Sequence, residues 1–402
     1  MSFIDDIRLA SKFLRDRILS TALTILSVAS GVALIVWLQG VTGGVREAFV
    51  RHATPYNLIV GAPGSPVQLV LSGVFFLDRP VGNISRDVYE ELKNDPAVDR
   101  AVPIAMGDSF RGHAIVGTTK EFFDPLPGEK FPLRLRAGRL FNGNFEAVIG
   151  ARVAAETRLE IGAQFRSSHG FSGGEQHAEP MTVVGILEPT GGPRDGAVYC
   201  SLESIHEFHR HANEYAESGG TAAPNQMTAV LVRPKDLTAL PLLQRQIQMS
   251  GRAQAVFPTS ALYQLFDTLE IWKRVVQVLC WTVVAVALTS VCITLYSFVE
   301  ERAADIALLR ALGASRTRIT RLILIQSLLL SLGGALTGIA LGHGLMAVLG
   351  GVVQSFTGVD LSWSVMTGWE GMILGALGAT GLVFGAWPAW RAYRVAAAEY
   401  LA

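Results

Sequence analysis

Histidine is the residue type in this chain whose spacing could support metal chemistry. His206 and His209 lie three residues apart in the run HEFHRH, so on a helix they face the same way, as two zinc ligands should. His169 and His177 bracket a glycine-rich loop that could bring a further ligand to them. These four histidines are therefore candidate zinc ligands. The alternative is a polar helix end beside a mobile loop, which is favoured because the spacing lacks a strong zinc pattern.

No other group of residues predicts an enzyme. The sequence has no G-x-x-x-x-G-K-[ST] phosphate loop, no H-E-x-x-H and no Cys-x-x-Cys, so the backbone cradle that holds ATP phosphates is missing from it. Serine, histidine and aspartate are too scattered to nominate a catalytic triad. We predict no catalytic residue and, apart from the zinc candidates, no cofactor bound by this chain. Any ATP hydrolysis is expected on a partner.

Four uncharged apolar stretches are long enough to span a bilayer, for which about 20 residues are needed. They lie near Ala22–Val41, Val275–Val299, Leu322–Gly350 and Gly371–Trp390. Half of all residues are hydrophobic and 17% are charged, which is typical of a chain that lies largely in lipid. The sequence predicts four transmembrane helices, in segments 21–45, 271–299, 315–350 and 369–390.

Arginine and lysine indicate the orientation, because short cytoplasmic loops retain them. They precede the first span, fill the loop between the second and third spans, and follow the fourth, whereas the loop 351–368 has none. We expect both termini, including the tail 391–402, to be cytoplasmic. The segment 46–270 and the loop 351–368 then lie on the far side of the membrane.

An amphipathic helix is predicted within residues 1–20. Its apolar side chains recur on one face: Phe3, Ile7, Ala10 and Leu14. Its basic side chains recur on another: Arg8, Lys12 and Arg15. Such a helix is expected to lie flat on the inner leaflet, in contact with lipid. A simple basic flank is the alternative.

The segment 46–270 has the pattern of a soluble α+β domain. Short β-rich runs are separated by Gly, Pro and Asp turns: Asn57–Gly61, His113–Gly117, Ala147–Gly150, Met181–Ile186, Val198–Ser201 and Thr228–Arg233. Helical patterns lie between them: Ser85–Asn94, Ala151–Leu159, Leu202–Glu214 and Ala239–Ser250. Cys200 is the single cysteine of this segment, so no intrachain disulfide can form within it.

Glycines at four-residue spacing predict close helix packing in the spans. Gly334, Gly338 and Gly342 form one such row, and Gly371 with Gly375 forms another. Gly381 and Gly385 repeat the spacing further along the fourth span. Small residues of this kind let a second helix backbone approach closely.

A charged amphipathic helix at 300–314 connects the second span to the third. Its apolar side chains share one face at three-residue steps: Ile306, Leu309 and Leu312. Its charged residues Glu301, Arg302 and Asp305 lie toward another face. Gly313 is placed to end the helix in a left-handed conformation, and Ser315 is placed to cap the next one.

The run from Asp305 to Ala314, DIALLRALGA, resembles the signature of the permease family that includes MacB, the lipoprotein-releasing permeases and FtsX. Three runs of the middle segment resemble the family's external domain: Gly138-Arg139-Leu140-Phe141, Val148-Ile149-Gly150 and Val183-Val184-Gly185. The resemblance implies that the helix 300–314 docks on a separate ABC ATPase subunit. It assigns ATPase coupling to Glu301, Arg302, Asp305, Ile306, Leu309, Arg310, Leu312 and Gly313.

The resemblance also implies the fold class, an integral membrane α-helical protein with four transmembrane helices. A large α+β periplasmic domain, a Porter-like body with an inserted β-rich subdomain, is expected between helices 1 and 2. The implied location is the bacterial inner membrane. The implied partners are the ATPase subunit with its ATP and Mg, a second permease copy or a related chain, and a periplasmic adaptor or binding protein, with no nucleic acid.

The implied function is that of an ABC transporter permease. It couples ATP hydrolysis on the partner to a periplasmic conformational change by mechanotransmission, for export or extraction of a substrate. The alternative is an FtsX-like transmembrane signalling scaffold that activates a periplasmic partner without transport.

Overall fold

The computed structural model describes residues 3–53, 56–127, 129, 131–170, 176–215, 226–311, 314–360 and 368–394. The chain divides into two compact units. The first, here called the membrane unit, comprises Met1–Gly44, Glu270–Gly351 and Leu361–Ala402. The second, here called the α+β unit, comprises Val45–Leu269 and Val352–Asp360.

Eleven α-helices are present in the described ranges. They are α1 Phe3–Arg15, α2 Ile18–Ala53, α3 Pro66–Gly73, α4 Arg86–Lys93, α5 Ala151–Thr157, α6 Leu202–Tyr215, α7 Leu240–Met249, α8 Pro258–Glu301, α9 Ala303–Ala311, α10 Arg316–Thr357 and α11 Gly368–Arg394. Four of them, α2, α8, α10 and α11, are long and apolar enough to cross a membrane. They contain the four stretches that the sequence predicted as spans, so the predicted number of spans is confirmed.

The glycine row of α10 packs directly on α2 within the membrane unit. A Cβ atom added to Gly334 would lie 2.5 Å from Cβ of Val28. A Cβ atom added to Gly338 would lie 2.6 Å from Cβ of Val32, and one added to Gly342 would lie 2.8 Å from Cβ of Val36. Real Cβ atoms do not approach this closely, so the two backbones are near each other because the glycines lack side chains. The four-residue spacing of this row therefore coincides with the close approach of α2.

Helix α11 packs on α10 through a second set of small residues. A Cβ atom on Gly381 would lie 2.7 Å from Cβ of Ser331, and one on Gly385 would lie 2.6 Å from Cβ of Ser327. The Ser327 hydroxyl donates a 2.6 Å hydrogen bond to the Gly381 carbonyl oxygen.

The other glycine pair of α11 has a different environment. A Cβ atom on Gly371 or Gly375 would meet no atom within 4 Å in the described part of the chain. The close helix approach predicted at these two glycines is therefore not observed in the described part of the chain. The physical reason is that small residues permit close packing but do not by themselves attract a neighbour.

Twelve strands are present among the described residues of the α+β unit. They are β1 Leu58–Gly61, β2 Ile84–Ser85, β3 Val98–Phe110, β4 His113–Thr118, β5 Leu135–Gly138, β6 Glu146–Ile149, β7 Gln164–His169, β8 Gln176–Leu187, β9 Val198–Ser201, β10 Gln226–Met227, β11 Ala229–Pro234 and β12 Gln254–Val256. Nine strands follow one path in the order β12-β1-β11-β3-β4-β9-β6-β8-β5, and β7 pairs with both β3 and β8. Strands β2 and β10 pair separately.

The strands β4 to β9 are a continuous insertion between β3 and β10 in the chain, and they extend the sheet beyond β3. This arrangement agrees with the predicted α+β domain that carries a β-rich insertion. The three runs of family resemblance become neighbours in the insertion, because β5 and β6 both pair with β8. Gly138 has φ +80°, and a Cβ atom there would collide with the carbonyl oxygen of Val184, so this turn requires glycine.

The core of the α+β unit lies between the sheet and its helices. Fully buried side chains of the strands include Leu58, Ile115, Ile149 and Met181. They meet apolar faces of α4, α6 and α7, three helices that the sequence predicted to within two residues of their observed ends. Helix α3 was not predicted. It begins at Pro66, and the Ser65 hydroxyl caps it by accepting a hydrogen bond from the Gln68 amide.

Candidate coupling site

The short helix α9 lies in the chain between two membrane-length helices. Helix α8 ends at Glu301 and α9 begins at Ala303, and the Ile306 amide donates a 2.9 Å hydrogen bond to the Arg302 carbonyl oxygen. The next helix, α10, begins after Ser315, whose hydroxyl oxygen accepts a 3.3 Å hydrogen bond from the Arg318 amide. The predicted Ser315 cap is therefore present, and it fixes where α10 starts.

Ile306 anchors α9 to the membrane unit. Its side chain is only 6% exposed and belongs to an apolar cluster with Val299 of α8, Ile319 and Ile323 of α10, and Ala389 and Ala392 of α11. The resemblance assigned ATPase coupling to Ile306. In the structure this side chain faces inward instead. Periodicity identifies an apolar face of a helix but does not say what covers that face.

Leu308 is an apolar residue of α9 whose side chain faces away from the cluster. Its side chain is 51% exposed, and it is two positions from Ile306, about 200° around a helix. Sequence reasoning did not select it, since it breaks the three-residue pattern. The side chains of Asp305, Leu309 and Arg310, and the whole of Leu312 and Gly313, lie outside the described residues, so their predicted coupling role stays a prediction.

Ion pairs hold the residues just before α9. Glu301 pairs with Arg17, which lies between α1 and α2. Arg302 lies 3.6 Å from Asp16, and its guanidinium is 5.4 Å from the ring centre of Phe13. These partners lie within the chain, and the ATPase-coupling role of Glu301 and Arg302 stays a prediction. Each half-exposed pair contributes at most about 1 kcal/mol, so their main effect is to set the direction in which α9 leaves α8.

A third ion pair ties α8 to the last helix. Glu300 Oε1 lies 3.0 Å from Nη2 of Arg391 in α11. Consecutive residues 300, 301 and 302 therefore reach α11 and the α1–α2 connection. A displacement of α9 would strain all these contacts together.

Asp6 is a site residue that sequence reasoning missed. Its carboxylate in α1 is fully buried and accepts hydrogen bonds from Arg318 Nε at 3.1 Å and from Arg321. Burial raises the pKa of Asp6, but the two guanidinium groups outweigh it and hold the pKa below its usual value. One signal was available. Asp6 lies four residues before Ala10, on the face of α1 that packs against Leu322 and Ile325, where an acid needs a partner.

Comparison with known proteins decides the family. Residues 21–249 match the MacB-like periplasmic core domain, and residues 278–397 match the FtsX-like permease C-terminal domain. The chain belongs to the MacB/FtsX-type ABC transporter permease family. The second match includes α9, α10 and α11, so the helix α9 and the two long helices that follow it lie within the family's permease domain.

The relatives of this permease include exporters. It is 24% identical to the macrolide export ATP-binding/permease protein MacB of Rhodopirellula baltica, over 95% of this chain and 60% of the relative. It is 26% identical to the pyoverdine export ATP-binding/permease protein PvdT of Pseudomonas aeruginosa, over 92% of this chain and 54% of the relative. The permease thus spans between half and two thirds of their lengths.

Among solved structures, the periplasmic region of MacB from Actinobacillus actinomycetemcomitans is similar to part of this permease. It covers 56% of this chain and 97% of its own, with 15% sequence identity and a TM-score of 0.36.

The histidines of the permease do not all converge. His169 and His177 lie beside Asp108, which was not a predicted ligand, and the three can share one metal ion by distance. His206 instead has its Nε2 3.2 Å from the Gln226 carbonyl oxygen. The His209 side chain is outside the described residues. Two of the four candidate zinc ligands therefore lie close together, and an aspartate lies beside them.

His343 of the third span also has an acidic neighbour. Its Nε2 lies 3.0 Å from Glu370 Oε1, in the first turn of α11. Glu370 is 4% exposed and directly precedes the uncharged stretch Gly371–Trp390 of the fourth span.

Proposed function

We propose that this chain is the permease subunit of an ABC transporter that acts by mechanotransmission. An ATPase on a separate subunit, with its own ATP and Mg, binds α9 and moves it, and the movement changes the conformation of the α+β unit. The observation that supports this proposal is that one side of α9 is buried and the other side is exposed. Ile306 is packed against α8, α10 and α11, while Leu308 is exposed on the opposite side.

Such a helix can transmit force because its buried side is packed against other helices and cannot move without them. The cluster of Ile306 and the ion pairs of residues 300–302 link α9 to several helices. Three of the long helices, α2, α8 and α10, contribute residues to both units. A displacement of α9 therefore has a covalent route to the α+β unit. Close packing makes that route stiff, since packed interiors transmit strain.

The names of the relatives favour export or extraction of a substrate as the purpose of this motion. The positive flanks favour an orientation in the inner membrane with both termini cytoplasmic and the α+β unit periplasmic. We further propose that the active unit contains two permeases, identical or related, and that a periplasmic adaptor or binding protein contacts the α+β unit.

Docking can be tested with Leu308→Asp. A charge at this exposed apolar position should disrupt an apolar contact with the ATPase, so a tagged permease should recover the co-expressed ATPase in at most about a tenth of the wild-type yield. Met249→Asp is the matched control, since Met249 is a 76% exposed apolar residue of α7, and it should leave recovery unchanged. Wild-type recovery by Leu308→Asp, with equal membrane insertion, would contradict the proposal.

Orientation can be tested with cysteine probes in a variant that lacks Cys200, Cys280 and Cys292. A probe at exposed Asp236 should react with a membrane-impermeant thiol reagent in spheroplasts. A probe at exposed Ser315 should react only after lysis. Labelling of position 315 in unlysed cells would contradict the proposed orientation.

A further inference from the structure

Three neighbouring strands bring Asp108, His169 and His177 together in the α+β unit. Asp108 lies in β3, where a register irregularity between Met106 and Asp108 interrupts the pairing with β4. The same Asp108 is the direct cross-strand partner of His169, the last residue of β7. His177 comes from the beginning of β8, which pairs with β7. Three strands therefore fix the three side chains, so little chain ordering would be needed on binding.

The distances between the three groups fit a tetrahedral metal ion. Asp108 Oδ1 lies 3.2 Å from His177 Nε2 and 3.3 Å from His169 Nδ1. All three ligand atoms lie within 4.8 Å of one another. Bonds of about 2.0–2.1 Å from zinc to nitrogen or oxygen place tetrahedral ligands about 3.3 Å apart. Two of the three separations already have that value.

The carboxylate of Asp108 provides a second, independent observation. Asp108 is fully buried, and its Oδ2 atom has no hydrogen-bond partner among the residues that the structure describes. A buried oxygen without a partner costs free energy. Pairing with the two imidazoles involves Oδ1 alone, and a bound cation would compensate the charge shared by both oxygens.

We propose that Asp108, His169 and His177 form a zinc site in the α+β unit. Two imidazoles and one carboxylate are a ligand set that zinc accepts, and three protein ligands leave a fourth position for water or for a group from outside. His169 is 60% exposed, whereas His177 is 9% exposed, so the site opens to solvent on the His169 side. His206 is not a ligand in this assignment.

The site can be tested on the full chain in detergent, with any affinity tag removed and metals stripped by a chelator. Titration with Co²⁺ should produce the visible absorption of tetrahedral cobalt at one equivalent per chain, and Zn²⁺ should abolish it. His169→Asn should weaken binding roughly tenfold or more, since even the loss of an outer-shell partner costs about that much. Because His169 is exposed, this variant should fold as the wild type does, and an unchanged melting temperature of the metal-free protein checks this.

His206→Asn is the matched control and should bind cobalt as the wild type does. Asp108→Asn, which keeps the size of the side chain, should also weaken binding. Three results would overturn the assignment: no stoichiometric binding by the wild type, equal binding by His169→Asn, or a loss in His206→Asn as large as that in His169→Asn.

Discussion

Arg318 Nε donates a 3.1 Å hydrogen bond to the carboxylate of Asp6, a residue 312 positions earlier in the chain. The bond joins the first turn of α10 to α1. It fixes the start of the helix that follows α9, and Ser315 caps the same turn. The amphipathic helix α1 is thus part of the framework of the coupling site through a buried acid. Its predicted position on the inner leaflet stays a prediction.

Asp6→Asn should loosen α1. The substitution keeps the shape of the side chain but removes the charge that Arg318 and Arg321 share, and hydrogen bonds to charged groups contribute about 1.5–3 kcal/mol each. We expect a lower melting temperature of the detergent-solubilised chain and faster amide exchange in α1. Lys12→Gln, at an exposed position of the same helix, should change neither. Equal melting temperatures and amide exchange rates in the two variants would show that the ion pairs of Asp6 contribute nothing to stability.

Gly338→Ala should separate α2 from α10. The new methyl group would lie 2.6 Å from Cβ of Val32, and overpacking of this kind costs about 1–3 kcal/mol. Gly344→Ala, on the same helix with nothing within 4 Å in the described part of the chain, should have no such cost. Thermal unfolding of both variants, with cysteine cross-linking between α2 and α10, measures the difference. A loss of stability in Gly344→Ala as large as that in Gly338→Ala would rule out steric contact with Val32 as the cause.

His343→Leu should destabilise the membrane unit. It removes the imidazole 3.0 Å from the buried Glu370 carboxylate, and breaking a buried pair from one side costs about 3–5 kcal/mol. The double variant His343→Leu/Glu370→Leu should recover much of that loss, because no charge is then left buried. A double-mutant cycle of unfolding free energies measures the coupling. Additive losses would show that the two side chains act independently.

Glu146 should give the α+β unit an acid-sensitive contribution to stability. Hydrogen bonds from Arg139 and then from the Asn142 amide lower the pKa of Glu146 from 4.5 to about 2. Because the folded-state pKa is depressed, the contribution is complete above about pH 4.5 and is lost as the pH falls toward 2. Its size is modest, since Arg139 is half exposed and solvent screens the pair.

The measurement is the difference in melting temperature between wild type and Glu146→Gln as a function of pH. The difference should be constant near neutrality and should shrink between pH 4.5 and pH 2. Glu160→Gln, at an exposed position, is the control and should show no such trend. A difference that does not change with pH would contradict the role of the Glu146 charge.

Sequence patterns were sufficient for features that depend on a few neighbouring residues. The four apolar spans follow from length and hydropathy alone. The start of α10 follows from a local signal, the Ser315 cap, which is observed. Six of the twelve described strands of the α+β unit, and its helices α4, α5, α6 and α7, follow from turn residues and alternation, because these preferences act within about ten residues. The family signature was recognisable for the same reason, since it is one continuous run.

Only the tertiary structure decided which groups meet. The sequence identified an apolar face on α9, but packing against α8, α10 and α11 turned Ile306 inward and left Leu308 exposed. The predicted glycine rows share the same spacing, yet a Cβ atom on Gly338 would meet Val32, whereas one on Gly375 would meet no atom within 4 Å among the described residues. Asp6 with Arg318, and Asp108 with His169 and His177, join positions far apart in the chain. Pairings of this kind depend on how helices and strands assemble, and no local preference encodes that assembly.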